Sequence, residues 1–233
     1  MHSEPRPPAS PFRASRVAAL LALPTLLLLV LVSAEWQPLL GLDGDIARTT
    51  HRWAVAHRDL TQAARVLTDW VWDPWTMRAL CAVVVLWLAA QRTWWPALWL
   101  AATCLVGTLL QQGLKALVGR ERPRWPDPVD SAHYAAFPSG HAMTATVVCG
   151  LLLWLLRGYG VGAAVWWTGL GLAVVSVVGV GLTRIWLGVH WTSDVVEGWL
   201  LGALTVAAAI ALYEHYVPAA GRAAASGRAG SRA

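Results

Sequence analysis

The chain has 233 residues, of which 57% are hydrophobic and only 13% are charged, and it carries a formal net charge of +5. Soluble domains usually contain about 25% charged residues, so this composition excludes an ordinary soluble protein and indicates an integral membrane protein. In such a protein, an excess of Lys and Arg reports membrane orientation and the chemistry of a site. The composition therefore argues against a nucleic-acid-binding protein.

The N-terminal region contains the first candidate membrane span. Residues 1–16 are rich in Pro, Ser and Arg, which predicts a disordered cytoplasmic segment. The apolar stretch 17–34 follows, and it ends in Val32-Ser33-Ala34, which resembles the small-residue cleavage site of a signal peptide. We interpret the stretch as an uncleaved membrane anchor, with a cleaved signal peptide as the alternative. In both cases Glu35 emerges on the outer side of the membrane.

Residues 35–75 are too polar to span a membrane and instead mix apolar and polar residues at helical spacing. Asp59 and Gln62 resemble a capping box that begins a second short helix. The segment therefore predicts two amphipathic helices at the outer interface, where they either cover a site or simply pack against the bundle. The apolar positions of these helices are Ile46, Trp53, Leu60, Leu67 and Val71.

Five further apolar stretches are long enough to cross about 30 Å of hydrocarbon at about 1.5 Å per residue. They lie at about 76–91, 94–118, 141–157, 163–183 and 194–213. The sequence thus predicts an all-α, polytopic membrane protein, with six transmembrane helices in a bundle and amphipathic interfacial helices between spans 1 and 2. Residues 217–233 are rich in Ala, Gly, Ser and Arg, which predicts a disordered cytoplasmic tail. The oligomeric state does not follow from these patterns.

The short loops predict how the bundle is oriented. The predicted inner loops carry Arg92 and Arg157 and no acidic residue, as cytoplasmic loops usually do. With six spans, both termini are then inside, the third and fifth spans run outward, and the fourth begins on the outer side. We therefore predict a multi-pass protein of the cell membrane whose site faces the periplasmic or extracellular side.

The first of three polar motifs is Pro138-Ser139-Gly140-His141, which directly precedes the fourth span. Ser139 is a typical N-cap residue whose hydroxyl can accept a first-turn N–H, and Gly140 allows a ligand to approach the backbone. The free N–H groups and the dipole of a helix N-terminus favour an anion. His141 stands beside that position and can transfer a proton near neutral pH. By itself, a capped transmembrane helix with an incidental histidine explains the motif equally well.

The second motif is Lys115, near the end of the third span, followed seven residues later by Arg122-Pro123. Gly119 is predicted to end the helix as its C-cap, and Pro123 favours an extended conformation at Arg122. A lysine point charge and a planar arginine fork together suit a phosphate group. The alternative is a pair of interfacial cations that extend towards the membrane surface.

The third motif is Thr183-Arg184, followed by His190 and then Asp194. His190 and Asp194 are four residues apart and would share one face of a helix, so the carboxylate can bond one ring nitrogen. Such a bond fixes the tautomer and leaves the other nitrogen as a nucleophile. Asp194 can cap the last span at the same time. A metal site is the alternative, but the neighbouring cations disfavour it.

Together the three motifs resemble the signature of the type 2 phosphatidic acid phosphatase (PAP2) superfamily, whose members include undecaprenyl-diphosphate phosphatases and other membrane lipid phosphatases. The matching patterns are Lys-x6-Arg-Pro, Pro-Ser-Gly-His and Arg-x5-His-x3-Asp, in this order, and the resemblance covers about residues 40–215. Thr183 departs from the family pattern, which usually has serine before the arginine, but a hydroxyl group is retained.

The resemblance implies a phosphatase domain over residues 17–216 that hydrolyses a lipid phosphate or diphosphate without a metal or other cofactor. It assigns His190 as the nucleophile that becomes a phosphohistidine, Asp194 as its orienting carboxylate, and His141 as the general acid. Phosphoryl transfer depends on positioning and on neutralising charge, which agrees with these roles. The implied phosphate-binding residues are Lys115, Arg122, Ser139, Gly140 and Arg184.

Other functions fit parts of the same pattern. A lipid-to-lipid phosphotransferase would use the same phosphohistidine, whereas a non-enzymatic transporter would be expected to carry its charges at mid-span rather than at one interface. Vanadate-dependent haloperoxidases share the motifs. Those enzymes are soluble, however, whereas this chain has six predicted membrane spans. The extra cations Arg120 and Arg124 favour a diphosphate such as undecaprenyl diphosphate, although the lipid itself does not follow from these residues.

Overall fold

The computed structural model describes residues 11–217, and the regular secondary structure of this part of the chain is helical throughout. This confirms the predicted all-α class. Residues 1–10 and 218–233, which hold most of the two predicted disordered termini, lie outside the described residues. The α-helices are α1 (Pro11–Ser33), α2 (Gln37–Ala56), α3 (Arg58–Val66), α4 (Pro74–Ala90), α5 (Trp94–Val118), α6 (Gly140–Gly158), α7 (Ala163–Trp186) and α8 (Thr192–Tyr216).

The first helix begins earlier than the sequence predicts. α1 starts at Pro11, so residues 11–16, for which we predict disorder, are helical. Proline is favoured in the first turn of a helix, which accounts for a start at this residue. Pro24 lies inside α1, and the Thr25 hydroxyl next to it donates to the Leu21 carbonyl at 2.7 Å. α1 packs mainly along α8.

Within residues 11–217, six helical stretches are long and apolar enough to cross a membrane. Five lie in α1, α5, α6, α7 and α8, and the sixth lies in the stretch Arg58–Ala90, which contains α4. The outward faces carry exposed apolar side chains such as Leu20, Leu23 and Trp167. A band of this kind suits contact with lipid, so the six-span bundle is confirmed.

The segment between the first two spans forms α2 and α3, and α3 runs into a π-helical turn at Leu67–Val71. The predicted capping box at Asp59 and Gln62 is wrong, because α3 begins at Arg58, two residues earlier than a helix capped by Asp59. His57 ends α2 and also serves as the N-cap of α3, although its side chain makes no capping bond to α3. Asp59 therefore lies inside the first turn, where a carboxylate complements the helix dipole.

The two predicted apolar positions of α2 lie in different environments. Ile46 is partly buried and packs against a core cluster, whereas Trp53 is 56% exposed, since an apolar side chain at a membrane interface can face lipid. The fully buried residues of α2 are Asp43, Ala47, His51 and Ala54. The inward face packs against α7 and α8 and brings two polar side chains towards the bundle.

Two glycines on α8 allow it to approach α6 closely. A Cβ atom on Gly198 would lie 2.7 Å from the Ser139 carbonyl oxygen, and one on Gly202 would lie 3.0 Å from the Met143 carbonyl oxygen. Neither position therefore has room for a side chain. The Ser139 N–H also donates to the Asp194 carbonyl at 2.9 Å. The start of α6 is thus held against the first turn of α8, which brings the first and third motifs together.

Candidate active site

The three motifs converge at one end of the bundle. Lys115 lies in the last turn of α5 and Arg184 in the last turn of α7, while α6 and α8 both begin at this end. The loop 119–139 connects α5 to α6, and the turn 187–191 connects α7 to α8. Helix ends and two connections therefore supply every residue of the predicted site.

His190 and Asp194 form the predicted pair, but not on one helical face. His190 lies in the turn before α8, and Asp194 lies in the first turn of the helix. The Nδ1 atom of His190 is 3.3 Å from Oδ2 of Asp194, and the same oxygen accepts the Trp191 N–H at 2.9 Å. The carboxylate is needed to cap the start of α8, so the helix begins only after the histidine. Asp194 thus caps the helix, as the sequence predicts, and its carboxylate contacts the His190 ring, while its role in orienting a nucleophile stays a prediction.

The second ring nitrogen of His190 faces a cation. Its Nε2 atom is 3.1 Å from Nη1 of Arg122. Because a guanidinium only donates hydrogen bonds, Nε2 is the acceptor, and the ring proton is on Nδ1, facing Asp194. Burial, together with the charges of Arg122, Arg184 and Lys115, holds the pKa of His190 well below its ordinary value. The ring is therefore neutral near pH 7, and its Nε2 lone pair, which accepts from Arg122 in this structure, can act as a nucleophile once Arg122 turns to a bound anion.

Lys115 lies in the last turn of α5, as the second motif predicts, and its side chain is buried. The helix ends at Gly119, whose φ of 61° is left-handed and whose N–H donates to the Lys115 carbonyl at 3.1 Å. The predicted C-cap is therefore confirmed. The Lys115 ammonium donates to the Ala135 carbonyl in the loop between α5 and α6. This contact holds the positive charge of Lys115 inside the protein, next to the loop 119–139.

Arg122 is held by backbone carbonyls on both sides of the site. Its Nε donates to the Tyr134 carbonyl at 2.5 Å, and its Nη1 donates to the Val189 carbonyl at 2.6 Å. Burial, followed by the nearby charge of Arg184, lowers the pKa of Arg122 to about 10, so the guanidinium stays charged at neutral pH. The cation is thereby fixed beside Nε2 of His190.

Arg184 is 4% exposed and projects from the last turn of α7. Its Nη1 atom is 3.4 Å from Thr68 Oγ1 and 3.7 Å from Asp130 Oδ2. Its Nε has no hydrogen-bond partner among the described residues. The neighbouring Thr183 hydroxyl donates to the Val180 carbonyl of its own helix at 2.8 Å. The π-helical turn and the loop 119–139 therefore both reach Arg184.

Ser139 is the N-cap residue of α6, as predicted, but its hydroxyl makes no capping bond. That hydroxyl is buried and has no partner among the described residues. The Ser139 N–H donates to the backbone carbonyl of Asp194. This bond to α8 holds the start of α6 in place of the predicted side-chain cap. A Cβ atom on Gly140 would lie 2.6 Å from Gln111 Nε2, so a larger residue there would displace the Gln111 side chain.

His141 lies in the first turn of α6, immediately after Gly140. It is partly buried and within electrostatic reach of the other histidine and of all three cations of the site. The second ionisable ring of the site therefore lies within electrostatic range of the first, and its role as the acid stays a prediction. These neighbours of His141 are Arg184, His190, Arg122 and Lys115.

Arg120 already donates to three acceptors, which weakens the sequence argument that it is an extra cation for a diphosphate. Its Nη1 donates to Asp194 Oδ1 and to Ser193 Oγ, both at 2.7 Å, and its Nη2 donates to Asp43 Oδ2 at 2.8 Å. A guanidinium that is only 11% exposed requires such carboxylate partners. Arg124, the other extra cation, is 81% exposed and lies 3.3 Å from Glu121.

Asp43 on α2 is a residue that the sequence analysis misses. It is 2% exposed, and its Oδ1 accepts the Ser193 N–H at 2.9 Å. Its Oδ2 accepts the Ser193 hydroxyl as well as Arg120. The sequence signal that could have identified it is its spacing. Asp43 lies four residues before the small residue Ala47, on the same face of an amphipathic helix.

A second contact joins α2 to the loop between α5 and α6. His51 Nε2 is 3.0 Å from Asp127 Oδ1, and the His51 ring stacks on Trp125 at a centroid distance of 4.1 Å. The hydrogen bond from His51 lowers the pKa of the Asp127 carboxyl. The Trp125 indole N–H donates to the Gly188 carbonyl at 2.9 Å. α2 therefore contacts the loop 119–139, which in turn is bonded to the turn 187–191 that carries His190.

The side chains that converge on the site suit an anion. Lys and Arg donate to phosphate and carboxylate oxygens and do not bind metal cations. Across residues 11–217, no three His, Cys, Asp or Glu side chains lie close enough together to hold a metal ion. Metal-independent chemistry stays a prediction.

Comparison of the chain with known proteins shows which family its sequence matches. The model of the PAP2 superfamily matches residues 96–217, just over half of the 233-residue chain. Decaprenylphosphoryl-5-phosphoribose phosphatase from Mycobacterium tuberculosis is 38% identical over 132 residues, which cover 55% of this chain and 66% of that protein. Undecaprenyl-diphosphatase from Sulfolobus acidocaldarius is 28% identical over 144 residues, covering 58% and 60%. The chain thus spans slightly less than two thirds of the length of these relatives.

Two comparisons involve Bacillus subtilis. Phosphatidylglycerophosphatase B is 30% identical over 115 residues, which cover 48% of this chain and 56% of that protein. The crystal structure described as the first transmembrane PAP2-type phosphatidylglycerolphosphate phosphatase from this organism superimposes with a TM-score of 0.75. It is 23% identical and covers 85% of this chain and 96% of its own, so the likeness establishes a shared fold.

Proposed function

Since the chain belongs to the PAP2 superfamily, we propose that it is a membrane-embedded lipid phosphatase that works through a phosphohistidine at His190. The observation that carries this proposal is the environment of the His190 ring. Nδ1 faces the Asp194 carboxylate, while Nε2 faces Arg122 beside two further buried cations. A nucleophile is thereby aimed at the place where an anionic phosphoryl group would be bound.

In the first step, the Nε2 lone pair of His190 attacks phosphorus, and the bond from phosphorus to the lipid oxygen breaks. His141, which takes up a proton once the bound phosphate offsets the surrounding cations, gives that proton to the departing oxygen, so the lipid leaves without carrying a strongly basic charge. The cations Lys115, Arg122 and Arg184 offset the charge on the other phosphoryl oxygens. Asp194 stays bonded to Nδ1–H and stabilises the positive phosphohistidine ring.

In the second step, water attacks the phosphohistidine, and the bond from phosphorus to Nε2 breaks. His141, now neutral, accepts a proton from that water, so it acts as an acid first and as a base second. Inorganic phosphate leaves, and His190 returns to its neutral form. Ser139 supports phosphate binding in this scheme, because its buried hydroxyl has no partner within the described part of the chain.

We favour a lipid with a terminal phosphate monoester over a diphosphate. Three cations surround His190, whereas Arg120 is engaged by Asp43 and Asp194. Two of the three relatives named above are called after decaprenyl or undecaprenyl compounds, so a polyprenyl chain is the first lipid to test. A diphosphate would have to recruit the exposed Arg124 for its second phosphate.

Release of inorganic phosphate should continue in the presence of EDTA. The reason is that cationic side chains surround His190, so the charge neutralisation that Mg²⁺ supplies elsewhere is provided by the chain itself. The measurement uses protein purified in detergent with polyprenyl phosphate, polyprenyl diphosphate, phosphatidic acid and phosphatidylglycerol phosphate. Activity that is lost in EDTA and restored by a divalent metal would contradict the metal-independent mechanism. Transfer of phosphate to a lipid acceptor, without release, would favour the phosphotransferase.

The active site is expected to face the outside of the cell. The short inner loops are basic, and the polar end of the bundle lies opposite them. After alanine replaces Cys81, Cys104 and Cys149, a cysteine is introduced either at the exposed Ser131 or at Ser226 in the tail. A membrane-impermeant maleimide should label the first variant on intact cells and the second only after lysis. Labelling of both variants on the same side would contradict the six-span topology.

A further inference from the structure

An arginine competes with His190 for the carboxylate that orients it. Asp194 Oδ1 accepts Arg120 Nη1 at 2.7 Å, whereas Oδ2 lies 3.3 Å from His190 Nδ1. The shorter contact belongs to Arg120, and both carboxylate oxygens have donors. The plane of the carboxylate is therefore fixed, but a guanidinium offsets its charge.

Asp43 returns a negative charge to this arrangement. The Nη2 atom of Arg120 donates to Asp43 Oδ2 at 2.8 Å, and Asp43 is itself held by the backbone and hydroxyl of Ser193. Two carboxylates that share one guanidinium carry a net formal charge of about −1. Without Asp43, Arg120 and Asp194 would form a neutral pair, which stabilises a positive ring poorly.

Resting on the phosphohistidine mechanism proposed above, we propose that Asp43 and Arg120 are positioning residues for the nucleophile. Arg120 fixes the Asp194 carboxylate, and Asp43 offsets the charge of Arg120, so that Asp194 keeps the negative charge that His190 requires when phosphorylated. We call Asp43 and Arg120 the clamp. Asp43 lies outside residues 96–217, the part that the family model matches, so α2 becomes part of the catalytic apparatus.

The other groups around the His190 ring show why this charge matters. Cations and a second histidine act on the ring from four elements, and α8 supplies the carboxylate that contacts it. A phosphorylated, positive His190 therefore depends on Asp194 and on whatever sets its charge. These groups are Lys115 from α5, Arg122 from the loop 119–139, His141 from α6, Arg184 from α7 and Asp194 from α8.

The test compares Asp43→Asn, Arg120→Gln and the double variant Asp43→Asn/Arg120→Gln in the full-length protein. Asp45→Asn is the matched control, because Asp45 lies on the same helix but is 75% exposed and paired with Arg48. The substrate is p-nitrophenyl phosphate, so that the choice of lipid does not affect the result. Thermal unfolding of every variant in the same detergent reports whether it is folded.

Each single variant should lower kcat by about 10- to 100-fold, as loss of a supporting group around a reactive side chain typically does. KM should stay unchanged, since the clamp does not contact the predicted phosphate-binding cations in any bond described above. The kcat of the double variant should exceed that of both single variants. The reason is that Asp194 alone carries the same formal charge of about −1 as Asp43, Arg120 and Asp194 together. Asp45→Asn should match the native protein.

A purely structural clamp gives a different pattern. It would lower kcat only in variants whose thermal unfolding temperature also falls, because removal of one partner of a buried ion pair leaves the other charge unpaired. Loss of kcat that tracks loss of stability across the variants overturns the proposal, as does native kcat in Asp43→Asn. If Asp43→Asn does not fold, the comparison of the double variant with Arg120→Gln decides in the same way. A native protein without phosphohydrolase activity on p-nitrophenyl phosphate or lipids overturns the proposed function as well. Native activity with an unaffected Asp43→Asn overturns the clamp alone.

Discussion

Replacement of His190 by glutamine is expected to lower turnover by about 10⁴- to 10⁶-fold for every phosphate ester, which is the range seen when one member of a cooperating catalytic set is removed. A glutamine side chain can still bond to Arg122 or Asp194, but it has no ring lone pair that can attack phosphorus. Rapid-quench labelling with a ³²P-substrate should give an acid-labile protein label in the native chain and none in the variant.

The matched control for this experiment is His133→Gln. His133 is an exposed histidine in the loop that also carries Arg122, so its replacement changes the same type of side chain outside the predicted site. We expect native turnover and native labelling from it. Acid-labile label that persists in His190→Gln would show that another residue receives the phosphoryl group.

The parts of the site that follow from the sequence are those fixed by helix ends. Lys115 could be placed because Gly119 ends its helix with a left-handed residue, four positions later. Asp194 could be given two roles because a carboxylate in a first turn caps the helix and also reaches a histidine just before it. Such local rules act over one or two helical turns. They can therefore be applied to the sequence without knowing which other helices pack nearby.

The turn that carries His190 shows where spacing becomes ambiguous. A separation of four residues suits two positions on one helix face, and it also suits a residue before a helix and one inside its first turn. The structure takes the second arrangement, and Gly188, with a φ of 67°, makes the turn. A Cβ atom there would lie 2.6 Å from Trp125 Nε1, so the contact to the loop also requires glycine.

The clamp could not be predicted because its contacts are distant in sequence. Asp43 is separated from Arg120 by 77 residues and from Ser193 by 150 residues. Arg120 in the sequence is one more cation beside a phosphate motif, so the pattern favours a diphosphate substrate. Only the packing of α2 against α8 shows that two buried carboxylates already engage it.

Replacement of His141 by alanine is expected to lower turnover of a lipid phosphate by about 10²- to 10⁴-fold, the usual contribution of a general acid. An alkoxide leaving group needs a proton as the bond to phosphorus breaks, and His141 is the residue proposed to give it. p-Nitrophenolate leaves as a stable anion and needs no such proton. The same variant should therefore recover much of its phosphohistidine formation with p-nitrophenyl phosphate.

The two histidine variants should respond to the activated substrate in opposite ways. His190→Gln gains nothing from a better leaving group, because the attacking atom itself is missing. In His141→Ala the phosphohistidine should form from p-nitrophenyl phosphate and then accumulate, since water has lost the base that removes its proton. A burst of p-nitrophenolate followed by slow turnover is the expected trace. If the activated substrate rescues His190→Gln but not His141→Ala, the roles of nucleophile and acid are the reverse of those proposed.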